Sequence, residues 1–179
     1  MPESGPGAQA GAAGPCRGPV PRAGAAGRPC HNPRCMATVT ASATRAVEAP
    51  PERVLEFLRD YREARPRILP ENYSAYRVES GGHGQGTVIG YHFAAGGRER
   101  DYRLAVEEDG AALFERDQLS SFVSRWSVAP DGAGASVTVE SSWQGAGGIG
   151  GVFERRFAPL GLRRIYGEML ERLAGELSG

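Results

Sequence analysis

From residue 38 onward the apolar positions follow two periods, and the points where the period changes divide the chain into elements. Residues 38–47 (TVTASATRAV) are rich in Thr and Val and predict a strand. Beyond Pro50-Pro51 the spacing lengthens, and Val54, Leu55, Phe57, Leu58 and Tyr61 form a helical stripe. Proline suits the start of a helix. Pro66 and Pro70 interrupt the region, which predicts one short helix, or two with a kink. From residue 72 the period falls to two. Strands are predicted at 72–80, 87–94, 98–108, 111–118, 119–129 and 136–143. The glycine-rich run 81–86, Gly96-Gly97, Asp109-Gly110 and the loop 130–135 separate them.

Residues 151–177 return to helical spacing. Leu162, Ile165, Tyr166, Met169, Leu170, Leu173 and Leu177 form one stripe, and Arg163, Arg164, Glu168, Glu171, Arg172 and Glu176 cover the other face. Pro159-Leu160-Gly161 predicts a bend between a short first segment and the long helix. The order is strand, one or two short helices, six strands, long helix. That is an α+β architecture: a mostly antiparallel sheet of about seven strands, its concave side closed by the C-terminal helix.

Composition adds a boundary. Residues 1–35 contain seven Gly, seven Pro and seven Ala and no aromatic residue, so they predict a disordered tail before a domain at 36–179. Met36 opens the patterned part, and the expectation is that it is the true start, with 1–35 an over-extended reading frame. No apolar run reaches the roughly 20 residues of a membrane span. Cys16, Cys30 and Cys35, with His31, all lie in the tail, and their spacing fits no standard zinc pattern. The domain lacks cysteine, which fits a cytoplasmic protein.

The chain carries 21 basic and 21 acidic side chains, and every basic one is arginine. The absence of lysine excludes a Walker-type phosphate loop and Schiff-base chemistry. The neutral total hides two unlike parts. The tail has four arginines and one glutamate; the domain has 17 arginines against 20 acidic residues. A mildly acidic domain argues against nucleic acid as a partner.

Several strings resemble the helix-grip (SRPBCC) superfamily, which includes START-like, birch-pollen-allergen-like and polyketide cyclase/dehydrase-like proteins. They are EAPPERVLEFLRDY, GQGTVIGY, RWSVAPDGAGASVTVES and FAPLGLRRIYGEMLERLAGEL, and together they span the domain. The stretch WQGAGGIGGVFERRFAPLGLRRIY is similar to a subgroup of small bacterial members. The resemblance implies a sheet wrapped around the last helix and a cavity for a hydrophobic ligand such as a lipid, quinone or polyketide. It also implies two alternatives: a cyclase or dehydratase, or a protein-interaction or chaperone module with a filled cavity. It carries over no catalytic residue.

The residues themselves point the same way. Gly145, Gly147 and Gly150 fit a dinucleotide-binding pattern, but no parallel strand follows the helix, so a linker into that helix is the better reading. His92 is the one histidine on a predicted strand and the sole, weak catalytic candidate. No converging acid and base accompany it, so the balance leans against an enzyme, and neither a metal nor a cofactor is expected. The aromatic residues carry the strongest signal. Tyr76, Tyr91, Phe93, Tyr102, Phe114, Trp126, Trp143 and Tyr166 fall on predicted strands or the long helix and are the candidate ligand-binding set. Core packing uses the same residue types, so the pattern alone does not separate a filled core from a lined cavity. Arg125 is expected to face solvent.

Overall fold

The computed structural model describes residues 38–145 and 148–178, the side chains of 148–157 excepted. The tail at 1–35 and Gly147 of the glycine pattern lie outside the described residues. Seven strands form one antiparallel sheet: β1 (Thr38–Val47), β2 (Tyr73–Ser80), β3 (Val88–Ala95), β4 (Arg98–Asp109), β5 (Ala112–Asp117), β6 (Val123–Asp131) and β7 (Gly134–Gln144). Their spatial order is β1-β7-β6-β5-β4-β3-β2. Hairpins join β2 through β7 in sequence, whereas β1 pairs with the last strand, from Thr38↔Gln144 to Val47↔Ala135. The chain therefore needs only one long-range pairing to close the order of the sheet.

Two short helices, α1 (Pro51–Arg59) and α2 (Ala64–Arg67), follow β1. The break between them falls earlier than the prolines suggested. Asp60 makes it: its Oδ1 accepts the amides of Arg62 and Glu63 at 3.0 Å each, and Oδ2 that of Ala64 at 3.2 Å. Those hydrogen bonds, led by the one from Glu63, hold its carboxyl pKa below the ordinary value. Pro66 lies inside α2, in the first turn, where a helix has no use for its amide.

The last helix, α3 (Gly148–Leu177), runs through Pro159 as one element of 30 residues. The residues 159–161, where a bend is expected, do not interrupt the helix. Pro159 lies in the helix interior, where proline removes a ladder bond and crowds the preceding turn, and packing of the following turns onto the sheet outweighs that loss. Ile165, Tyr166, Met169, Leu170, Leu173 and Leu177 are buried as the stripe predicts. They meet Trp126 and Val128 of β6 and Val137 and Val139 of β7 in the main core. A second cluster lies toward the β2 edge and holds Ile89, Tyr91, Leu104, Val106, Phe122 and Tyr61.

One irregularity positions a wall of the site. The β2–β3 register shifts between Ser74 and Arg77, and Ala75 sits at φ 50°, a value unusual for a residue with a Cβ. Without the extra residue, Tyr73 and Tyr76 would lie on opposite faces. With it, both are half-buried on the inner side.

Candidate functional site

The stripe on α3 changes character along its length. From Leu162 onward large side chains fill the space against the sheet, but the preceding turn presents Ala158 and Gly161. Opposite these small residues lies a cavity of about 580 Å³, whose walls include Tyr73, Tyr91, Phe93, Tyr102, Phe122, Trp143 and Tyr166. The strand register explains the grouping. Tyr91 and Phe93 share the inner parity of β3, and Tyr91 is directly paired with Tyr102 of β4. The rings touch in sequence around the wall. Tyr73 meets Tyr91 at 5.0 Å and Phe93 at 4.9 Å, Tyr91 meets Tyr102 at 5.4 Å, and Tyr102 meets Phe122 at 5.0 Å. Phe122 then approaches Trp143 at 6.4 Å. The contacts of Tyr73 and the Tyr102–Phe122 contact are edge-on and the Tyr91–Tyr102 contact is stacked, arrangements that fix ring orientations.

Polar groups gather at the β3–β4 turn, where Arg98, Glu99 and Arg100 join the lining. Arg100 lies over the Tyr102 ring at 5.2 Å and donates to Asp117 Oδ2 at 3.3 Å. Asp117 is buried and also accepts the Arg103 and Leu119 amides and the Ser120 hydroxyl. It thereby shapes the turn that delivers Ser120, Ser121 and Phe122 to the cavity.

A recess of about 30 Å³ lies deeper, toward α2, and Tyr73, Tyr91, Phe122 and Tyr166 line both spaces. Arg65 of α2 and Glu115 of β5 form an ion pair on its wall, with side chains only 3% and 7% exposed. Tyr61 donates its hydroxyl to the same Glu115 Oε1 at 3.0 Å. The Arg65 guanidinium rests on the Trp126 ring, 3.9 Å from its centroid. Desolvation works against the charge on Arg65, but Glu115 opposes it, and the guanidinium pKa ends above its ordinary value.

The tyrosine phenols are also displaced. Burial is the main cause, and it raises Tyr73 and Tyr91 well above the ordinary phenol range. Tyr166 is raised by the same burial, which outweighs the opposing hydrogen bond with Ser141. All three are therefore neutral near pH 7 and serve as hydrogen-bonding groups rather than bases.

Of the aromatic set predicted from sequence, Tyr91, Phe93, Tyr102, Trp143 and Tyr166 meet at the large cavity. Tyr76 and Trp126 line the recess instead. Phe114 is brought to neither. It pairs with Arg125 across β5 and β6, and Arg116 and Arg125 each lie 5.6 Å from its ring, on the outer side of the sheet. Arg125 is exposed, as expected. His92 stands on the outward parity of β3, bonded to Asp101 at 2.8 Å and near Glu99 at 3.6 Å, and lines neither space. Its hydrogen bond to the Asp101 carboxylate is the chief cause of its raised pKa. Sequence reasoning did not single out Tyr73, Arg65, Glu115 or Tyr61 for the site. Among the described residues, no helix is long and apolar enough to cross a membrane, and no group of three or more His, Cys, Asp or Glu side chains could hold a metal ion.

Comparison with known proteins agrees with this architecture. The solution structure of KanY protein is 45% identical, covers 80% of this chain and 100% of its own, and superposes with a TM-score of 0.74. A crystal structure of a protein from Thermus thermophilus is 20% identical over 77% of this chain and 96% of its own, with a TM-score of 0.66. Ginseng major latex-like protein 151 from Panax ginseng shares the fold at 11% identity, covering 78% and 97% of the two chains, with a TM-score of 0.61. No curated protein matches the chain. The family described as polyketide cyclase / dehydrase and lipid transport matches residues 36–178. With that match over a helix-grip sheet and its closing helix, the chain belongs to the polyketide cyclase/dehydrase and lipid transport family of the SRPBCC superfamily.

Proposed function

We propose that this protein binds a small hydrophobic or amphipathic ligand between its sheet and α3. The observation that carries the reading is the aromatic-walled cavity of about 580 Å³. Small-molecule sites fall in the range of roughly 300–1,000 Å³ and combine apolar walls with a few placed polar groups. Here seven aromatic rings supply the apolar area, and the arginines and Glu99 at the β3–β4 turn supply a polar end. Affinity arises from apolar burial, less the cost of immobilising the ligand. A filled core would favour a pure interaction module, and the cavity speaks against that alternative. A cyclase or dehydratase needs a base in the cavity; the neutral phenols do not provide one, and the carboxylates that line the two spaces are the exposed Glu99 and the Arg65-paired Glu115.

Gly161 provides a clean test, because a Cβ added there meets no heavy atom within 4 Å. Gly161→Trp places an indole toward the cavity from a helical position. Glycine within a helix is about 1 kcal/mol less favourable than alanine, so the fold tolerates the change. Native mass spectrometry of wild-type protein from its own host is expected to show a reproducible bound mass that is released on denaturation. Gly161→Trp is expected to lose that mass while its far-UV spectrum stays unchanged. Absence of any adduct on the wild type, or an equal adduct on the variant, contradicts the reading.

A further inference from the structure

Two buried N–H groups in the recess lack partners. Among the described residues, Arg65 Nη1 and Trp126 Nε1 are the buried side-chain nitrogens or oxygens with no hydrogen bond. Both residues line the 30 Å³ recess, and both are nearly inaccessible, at 3% and 2% exposure. A buried donor left unmade is costly, and two beside one small space are a pattern that calls for an acceptor. The space suits one oxygen atom, being larger than the ~10–15 Å³ that a single water-sized group requires. Four residues wall both the recess and the large cavity, so the recess lies at the inner end of the proposed binding site.

The charges around the recess narrow the class of acceptor. Arg65 is already neutralised by Glu115, through Nη2 to Oε1. A carboxylate entering here would place two negative charges against one positive charge, in a site removed from water. A neutral carbonyl adds no charge and has the two lone pairs that two donors need. Tyr61 donates to the same Glu115 oxygen, so Arg65 and Tyr61 together hold the carboxylate in place.

Resting on the ligand-binding reading, we infer that the recess receives a neutral carbonyl oxygen at the leading end of the ligand, hydrogen-bonded by Arg65 Nη1 and Trp126 Nε1. The ligand class is therefore an apolar ketone, quinone or ester in preference to a free acid or a hydrocarbon.

Three probes of one shape test this by calorimetric titration: 2-acetylnaphthalene, 2-ethylnaphthalene and 2-naphthoate. The ketone is expected to bind about tenfold or more tightly than the ethyl compound, as hydrogen bonds to a charged donor predict, and more tightly than the acid. In Trp126→Phe, which keeps a ring beneath Arg65 but removes the N–H, the ketone-to-ethyl ratio is expected to fall severalfold. Equal binding of the ketone and the ethyl compound to wild type overturns the inference and leaves the cavity reading standing. Tightest binding by 2-naphthoate overturns the choice of a neutral acceptor. An undiminished ratio in Trp126→Phe overturns the role of the indole. Failure of all three probes to bind overturns the inference together with the cavity reading.

Discussion

Glu115→Ala is expected to destabilise the protein by about 3–5 kcal/mol, the range seen when one member of a buried ion pair is removed. Arg65 would keep its charge with almost no water to solvate it, and Tyr61 would lose its acceptor. The penalty comes from the orphaned groups rather than from the net worth of the pair. A triple replacement separates the two. Tyr61→Phe, Arg65→Met and Glu115→Leu together remove every member of the network, and stability is expected to return to within about 1–2 kcal/mol of wild type, since apolar replacement of buried pairs is often neutral. Urea denaturation of the single and triple variants measures both quantities. A single substitution that shifts the midpoint no more than a surface change would show that the pair is hydrated and contradict the buried geometry. The triple variant also keeps the large cavity while removing the guanidinium from the recess, so its folding can be read apart from its binding.

The two tryptophans are expected to separate stability from binding. Trp126 is 2% exposed and packed in the main core beneath Arg65, so Trp126→Ala is expected to cost about 3–5 kcal/mol of stability. Trp143 is half-buried and forms part of the cavity wall. Trp143→Ala is expected to lose much less stability, because one side of its ring faces empty space. Its main effect falls on an apolar ligand. Losing about 50 Å² of contact corresponds to roughly 1.3 kcal/mol, or about tenfold in affinity. Denaturation midpoints and titration with 2-ethylnaphthalene give the two readouts. Equal stability losses for the two variants would place Trp143 in the core and remove it from the site.

Much of the fold was legible because the periods of the chain are clean. The alternation in β3 and β7 and the seven-position stripe from Leu162 to Leu177 each fix which side chains face inward. Five of the eight predicted aromatic residues meet in the large cavity for that reason. What periodicity did not reveal lies at specific positions. On β5 the inward parity carries Leu113, Glu115 and Asp117, and the outward parity carries Phe114 and Arg116. Hydrophobicity assigns Phe114 to the inside and the acids to solvent. The structure inverts this because Arg65, Tyr61, Arg100 and backbone amides satisfy the two carboxylates. Those partners come from other elements, and strand periodicity carries no information about them. Tyr73 was hidden in a different way. The extra residue at Ala75 changes the parity of β2, and an alanine at positive φ has no sequence signature. Arg65 reads as part of a charged, proline-broken segment, and its burial follows from the docking of α2, which composition does not reveal. The cavity itself has a faint trace in hindsight: the small residues Ala158 and Gly161 precede the large residues of the α3 stripe.

The proposed occupancy of the space between sheet and helix by an apolar molecule is open to direct measurement. Aromatic-detected NMR during titration with 2-ethylnaphthalene tests it most directly, because the probe's ring current marks the side chains it touches. Saturable shifts are expected at Phe93, Tyr102, Trp143 and Tyr166, with Phe114 on the outer side unmoved. Saturation that leaves those four rings unshifted, or shifts centred on Phe114, would contradict it.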